Sequence, residues 1–332
     1  MAAYKVRPPF TRRPEHPMNV ALSLVLPIFG IIAFGYFGAR TKLISHAGVD
    51  GLDTYVFTFA MPVLLFRNLA GTEFPSSLPW GLWISYYGAM LAVWAAGSLI
   101  ALFILRRPAS DAVMLGFGCG QGNTIMLGLP IILTGFGPEA GTPVFLILAF
   151  HGIILFTIAT FLLELTRTRE GEELPSFGAI LKEGLVNTAR NPVIIGIACG
   201  VVYGQLGVPL PGIVDTTLEM IARSAIPCAL FVLGAMLTRY SIRRSVGAAS
   251  ITTFFKLTVH PALVFAMTQY VFELEPLWVT AATLLAAMPT GVYSSILANR
   301  YRAAPGAASS TVVLSTGISL VTLTILLGYF LG

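Results

Sequence analysis

Ten apolar runs, most of them 20 residues or longer, follow one another near residues 19–38, 52–70, 80–105, 111–135, 142–165, 191–206, 214–237, 247–272, 277–299 and 308–331. A helix needs about 20 apolar residues to cross a bilayer. The expected architecture is therefore an all-α polytopic membrane protein of ten transmembrane helices, with no sizeable soluble domain. Composition agrees: 56% of the 332 residues are hydrophobic and 11% charged, against about 25% charged in soluble chains. The net charge of +5 then reads as an asymmetry between loops, and a nucleic-acid partner is not expected.

The polar segments divide the chain. Residues 1–18 form a basic, proline-rich tail with no small-residue cleavage site after the first apolar run, so it does not read as a signal peptide. Met18 is a candidate natural start. The only long charged linker covers 166–190, and its part from Phe177 to Thr188 is expected to form a surface helix. It separates five runs (19–165) from five more (191–332). Cys119, Cys199 and Cys228 lie inside runs with no CxxC or Cys/His spacing, so they read as packing residues and neither disulfide nor metal is expected.

The two halves resemble each other at a separation of 165 residues. Pro27, Ile32, Ala33 and Gly35 match Pro192, Ile197, Ala198 and Gly200. Ala60, Pro62, Leu65, Phe66 and Ala70 match Ala225, Pro227, Leu230, Phe231 and Ala235. Five spans per half make the halves antiparallel in the membrane, the inverted repeat common among secondary transporters. Loop charges give an orientation. Arg40, Lys42, Arg106, Arg107, Arg167, Arg169, Lys182, Arg190, Arg239, Arg243, Arg244, Arg300 and Arg302 lie on one side, while the opposite loops carry Glu73, Glu139, Glu273 and Glu275 and no cation. Positive charge stays inside. The linker is thus expected in the cytoplasm and both termini outside, an arrangement the cations of the tail oppose.

Two spans look broken. In the fourth, Gly118, Gly120 and Gly122 precede Asn123 within "GCGQGNTIMLGLP", and a helix can resume there with Asn123 or Thr124 as its cap. In the ninth, "AAMPTGVYSSILAN" has Pro289 and Gly291 to interrupt the helix and Thr290 to cap the helix that resumes after them. The 165-residue separation sets Asn123 opposite Met288, next to Pro289. Helix ends inside a bilayer survive only where protein or a wet cavity satisfies them, and paired interruptions point to a transporter's binding site. Two helix N-termini facing each other favour an anion, above all a carboxylate. Asn123, Gln121, Thr124, Thr290 and Ser294 are the candidate hydrogen-bonding residues. Gly122, Pro289 and Gly291 open the backbone to a substrate.

These motifs carry a resemblance. "NTIMLGLPII" and "AMPTGVYSSILANRY" are similar to the two crossover signatures of the auxin efflux carrier family, over essentially the whole chain from Met18. The resemblance implies an inverted-repeat fold like that of bile acid/sodium symporters, with broken helices crossing at spans 4 and 9. It also implies a scaffold of spans 1, 2, 6 and 7, a moving transport part of spans 3–5 and 8–10, a homodimer, and elevator-type transport of organic anions. The crossover asparagine maps onto Asn123 and the second crossover proline onto Pro289. Gly122 stands where plant members have proline, and their long cytoplasmic loop is missing, so auxin is not implied as the substrate.

Ionisable residues within spans are costly and are functional candidates by default. Lys256, alone in the transport half apart from His260 four residues on, is the foremost. Asp53 is, with Lys256 and His151, a candidate for coupling or charge relay, and with Arg67 and Glu219 it equally fits the headgroup level. Glu219 and Arg223 are spaced to pair on one helix face. His151 reads first as a hydrogen-bonded core histidine and second as a proton relay. The crossing itself carries no Asp or Glu, so a carboxylate-based cation site is unsupported. Sodium held by neutral oxygens of Asn123, Gln121, Ser294 or Ser295, or a coupled proton, stays open. No other cofactor is expected. Intramembrane enzymes would need clustered catalytic groups, and none is found. The reading is an integral protein of a bacterial plasma membrane that transports small organic anions. The alternative is a sodium- or proton-coupled symporter or antiporter of related fold with another substrate class.

Overall fold

The computed structural model describes residues 16–71, 78–168, 176–240 and 245–332. Most of the N-terminal tail, Arg169, Arg243, Arg244 and Glu73 lie outside them, as does the side chain of Arg167. Every regular element is a helix. In chain order they are α1 (Pro17–Arg40), α2 (His46–Ala70), α3 (Trp80–Ile104), α4 (Ala109–Gly120), α5 (Thr124–Phe136), α6 (Gly141–Thr168), α7 (Phe177–Ala189), α8 (Pro192–Gln205), α9 (Gly212–Leu237), α10 (Val246–Val271), α11 (Pro276–Ala286), α12 (Val292–Arg300) and α13 (Pro305–Leu331). Proline at the first turn starts α1, α8, α11 and α13, where its missing N–H costs nothing. Ser176 and Asn191 cap α7 and α8 through the N–H groups of Ala179 and Val193.

Seven of these helices are long and apolar enough to cross a membrane, and an eighth span results if α7 and α8, bent by 66° at their junction, are counted together. The shortfall from ten has a local cause. Helix α8 has 14 residues, and runs four and nine are each cut into two short helices. The expected surface helix is present as α7, with Phe177 and Leu185 exposed.

Three prolines inside helices sit two residues beyond a π turn: Pro62 after Val56–Ala60, Pro130 after Thr124–Gly128 and Pro261 after Phe255–Val259. A proline within a helix removes a donor and crowds the carbonyl four residues back. A wider turn just before it relieves both.

Helix α1 lies on α9 and on α13, and α2 lies on α8 and α9; α3 lies on α4, and α10 packs against α11 and α13. Close approach of α1 to α9 and of α2 to α8 needs glycine. A Cβ on Gly35 would strike the Phe231 backbone, and one on its repeat mate Gly200 would lie 2.8 Å from the Phe66 carbonyl. The halves also share local features in their later parts, at a separation of 167 residues. Helices α4 and α11 begin at Ala109 and Pro276, and Pro138 and Pro305 each follow a residue of positive φ, Gly137 (81°) and Ala304 (44°). Helices α3 and α10 both end in a π turn, Ile100–Ile104 and Met267–Val271, with matching bonds from Arg107 N to Ala101 O and from Leu274 N to Thr268 O. The second half is two residues longer before this part, so Asn123 corresponds to Thr290 rather than Met288.

Candidate functional site

The two interruptions meet. Between α4 and α5 the chain is non-helical at Gln121–Asn123, and between α11 and α12 it is so around Pro289–Gly291. Gly122 and Thr290 form an antiparallel bridge. Asn123 N donates to Pro289 O at 2.7 Å, and Gly291 N donates to the Gln121 carbonyl at 3.4 Å and to its side-chain Oε1 at 3.0 Å. Thr290 Oγ1 donates to Gly118 O at 2.9 Å, and Thr290 N donates to Ser315 Oγ of α13 at 3.0 Å. These bonds satisfy the groups that a break inside a bilayer would leave bare.

Two sequence expectations need correction here. Helix α4 runs unbroken through Gly118 and Gly120. Those glycines serve close packing: a Cβ would lie 2.9 Å from the Thr252 methyl at Gly118 and 2.9 Å from Met90 Cγ at Gly120. The break begins only after them. Thr290 does not cap α12, whose first residue follows Gly291 without a side-chain cap, because its hydroxyl reaches across to the other broken span. Asn123 does precede α5, also without a side-chain capping bond. Its Nδ2 is buried with no partner among the described residues, as is Ser294 Oγ. Ser295 is engaged with Ser309 of α13 at 2.8 Å. Thr124 opens α5 and is buried.

A cation stands beside this crossing. Lys256 is wholly buried (0% exposed), and a Cβ on Gly122 would lie 3.2 Å from its Nζ. The ammonium donates to Ala286 O at 2.5 Å, at the carbonyl end of α11, and lies 3.0 Å from His260 Nδ1. The negative end of a helix dipole suits a cation. The glycine at position 122 thus makes room for the lysine head, which a larger residue would displace. The crossing therefore combines a buried lysine head, a free amide donor and the N-terminus of α5.

The remaining candidates divide. His151 on α6 is buried, and its ring packs on Tyr86 and Tyr87 at centroid distances of 5.9 and 6.3 Å. Neither ring nitrogen has a partner among the described residues, so the expected hydrogen-bonded core histidine is not what the fold provides: α6 brings it against aromatic faces. Asp53 lies near Asp50, whose carboxylate Arg239 binds at 2.7 Å. Arg67 joins α2 to α9 through Asp215 at 2.7 Å, and Glu219 pairs with Arg223 as expected, at 3.1 Å from its Nε. Cys119 is buried and Cys228 half-buried, but Cys199 is exposed on α8. A surface cavity of about 200 Å³ lined by Arg107, Asp111, Ser245 and Pro305 lies away from all of these groups. Sequence reasoning missed Ser315, the Gly118 and Ala286 carbonyls, and Tyr86. No local pattern marks a serine or a carbonyl that only tertiary packing delivers.

Residues 20–327 match the family described as "Membrane transport protein". A Rhizobium meliloti protein named "Putative malonate transporter" is 29% identical over 307 residues, covering 92% of this chain and 94% of that one. Auxin efflux carrier component 8 of Arabidopsis thaliana is 24% identical over 356 residues, covering 91% and 95%. The uncharacterized transporter YfdV of Escherichia coli is 22% identical over 284 residues, covering 83% and 87%. The chain is an integral membrane transporter, not an enzyme, and it belongs to the auxin efflux carrier-like membrane transport protein family.

Proposed function

We propose that this protein moves small organic anions, dicarboxylates of the malonate class foremost, across the plasma membrane by elevator-type alternating access. The observation that carries the reading is the buried pairing of the two broken spans, with the Lys256 ammonium beside Gly122 and the Asn123 amide free to donate. An anion there gains the charge of Lys256 and the dipole of α5. The family, and the relative named for malonate, support the substrate class. In this reading Asn123, Gln121, Gly122, Thr124, Pro289, Thr290, Gly291 and Ser294 line or shape the substrate site.

The ten runs form a 5+5 inverted repeat, with α4–α5 and α11–α12 as the fourth and ninth spans. Its support is the repeated local features at 165 and 167 residues and the exchange of partners between halves, α1 with α9 and α8 with α2. The scaffold is α1, α2, α8 and α9, and the remaining spans move against it in a homodimer. Loop charges favour a cytoplasmic linker and outer termini.

The test is malonate uptake by proteoliposomes containing the purified full chain. Asn123→Ala is expected to lose uptake while keeping its elution volume and thermal midpoint in detergent, because the lost amide nitrogen has no partner among the described residues. Wild-type uptake by this variant would remove Asn123 from the site.

A further inference from the structure

Lys256 and His260 form a side-chain pair on α10, with Nζ 3.0 Å from Nδ1. Both side chains are fully buried. The elements packed on α10 offer the ammonium no carboxylate. Helix α3 brings Tyr86 and Tyr87. Helix α4 brings Cys119, close enough to interact electrostatically with Lys256, and its Asp111 is remote and accepts from Ala304 N. His151 stands behind Tyr86 on α6. Helix α11 has no ionisable residue, and α13 has only Tyr329, at its exposed far end.

A Lys256 ammonium donating to Nδ1 leaves the neutral imidazole of His260 with its proton on Nε2. That Nε2 is buried without a partner among the described residues, and so are the Tyr86 hydroxyl and both nitrogens of His151. The Tyr86 ring lies between the two histidines, 5.8 Å from His260 and 5.9 Å from His151 by centroids. A second protonation state fits the same geometry. Nε2–H gives up its proton towards Tyr86 and His151, and from there it passes to water on the side to which the site opens. One N–H bond of Lys256 then breaks as one forms at His260 Nδ1. The pair falls from one positive charge to none. Lys256, now an amine, still donates to Ala286 O.

We propose that the Lys256–His260 pair is the proton-coupling site of this transporter, with His260 Nε2 as its exit towards Tyr86 and His151, so that one proton accompanies each anion. This rests on the crossing being the anion site: the neutral pair withdraws the charge that holds the anion there. Anion and proton therefore load together and leave together.

The experiment uses the full chain in proteoliposomes, malonate as the probe and a pH-sensitive dye inside. Wild-type protein is expected to carry protons inward with malonate and to accumulate it when the outside is acidified. In His260→Asn the amide oxygen can accept from Lys256 as Nδ1 does, but it relays no proton. This variant is expected to keep malonate–malonate exchange and to lose pH-driven accumulation about 100-fold or more, the low end of what a positioned proton-transfer group contributes. A measurement on wild type alone covers failure of the variant to fold: accumulation slows in D2O while exchange does not. Malonate exchange with no proton movement, or pH-driven accumulation by His260→Asn at the wild-type rate, overturns the coupling and leaves the anion site standing. Absence of any malonate exchange overturns both.

Discussion

The two broken spans do the same thing to the chain by different chemistry. The first breaks without a proline, at Gln121–Asn123, after a glycine run that packs tightly on its neighbours. The second breaks at a proline, and its polar groups are used up by the fold. Pro289 O accepts from Asn123, Thr290 donates to Gly118 O through its hydroxyl and to Ser315 through its N–H, and Gly291 N is held by Gln121. What is left free at the crossing is the Asn123 amide of the first break, with the Ser294 hydroxyl of α12 as the exception in the second half, and the room over Gly122 holds the Lys256 head. The contrast teaches a division of labour, in which the second break clamps and the first one offers groups to a ligand.

Lys256→Met tests the ligand side hardest. The variant deletes the buried ammonium at the crossing, and a hydrogen bond to a charged group is worth about 1.5–3 kcal/mol, so malonate affinity is expected to fall about 10- to 100-fold. It also bares the Ala286 carbonyl and His260 Nδ1, so the thermal midpoint falls as well. Affinity must therefore be read by calorimetry on the folded fraction. Wild-type affinity in that fraction would move the anion away from the first break.

Thr290→Val tests the clamp. The valine matches the shape but leaves the Gly118 carbonyl without its donor in a buried place, which costs about 1–3 kcal/mol of stability. Malonate affinity should change less than twofold. Denaturant unfolding in detergent beside a binding titration measures both. A variant that keeps its stability and loses its affinity would reverse the division of labour.

Much of this contrast was legible in the sequence, because its causes are local. Apolar run lengths marked the helices. Pro289 and the dense glycines marked the two breaks, and Lys256 and His260 stood out as ionisable residues four apart in one span. What stayed hidden is tertiary. Gly118 and Gly120 look like helix breakers, yet α3 and α10 need them bare for packing. Thr290 has the chemistry of a cap, but the other broken span lies nearer to its hydroxyl than its own helix start. Two extra residues in the second half shift the register from 165 to 167, which no motif near the break reveals. Nor could spacing tell that Lys256, on α10, would lie against Gly122 on another span.

Ser294 is the smallest and sharpest test of the contrast, because it belongs to the second half yet resembles Asn123. Its hydroxyl is buried, 1% exposed at the residue, and has no partner among the described residues. If the fold alone explains that hydroxyl, Ser294→Ala removes a group whose desolvation nothing offsets. Stability should then hold or rise by about 0–1 kcal/mol, with malonate uptake within about twofold of wild type, the usual range for a change that breaks no specific contact. If instead the second half also faces the ligand, Ser294→Ala loses uptake as Asn123→Ala does, with no loss of stability. Measuring uptake with and without sodium separates the remaining case. A sodium requirement that Ser294→Ala abolishes would make this hydroxyl a cation ligand, and the second break would then carry the coupling ion while the first carries the anion.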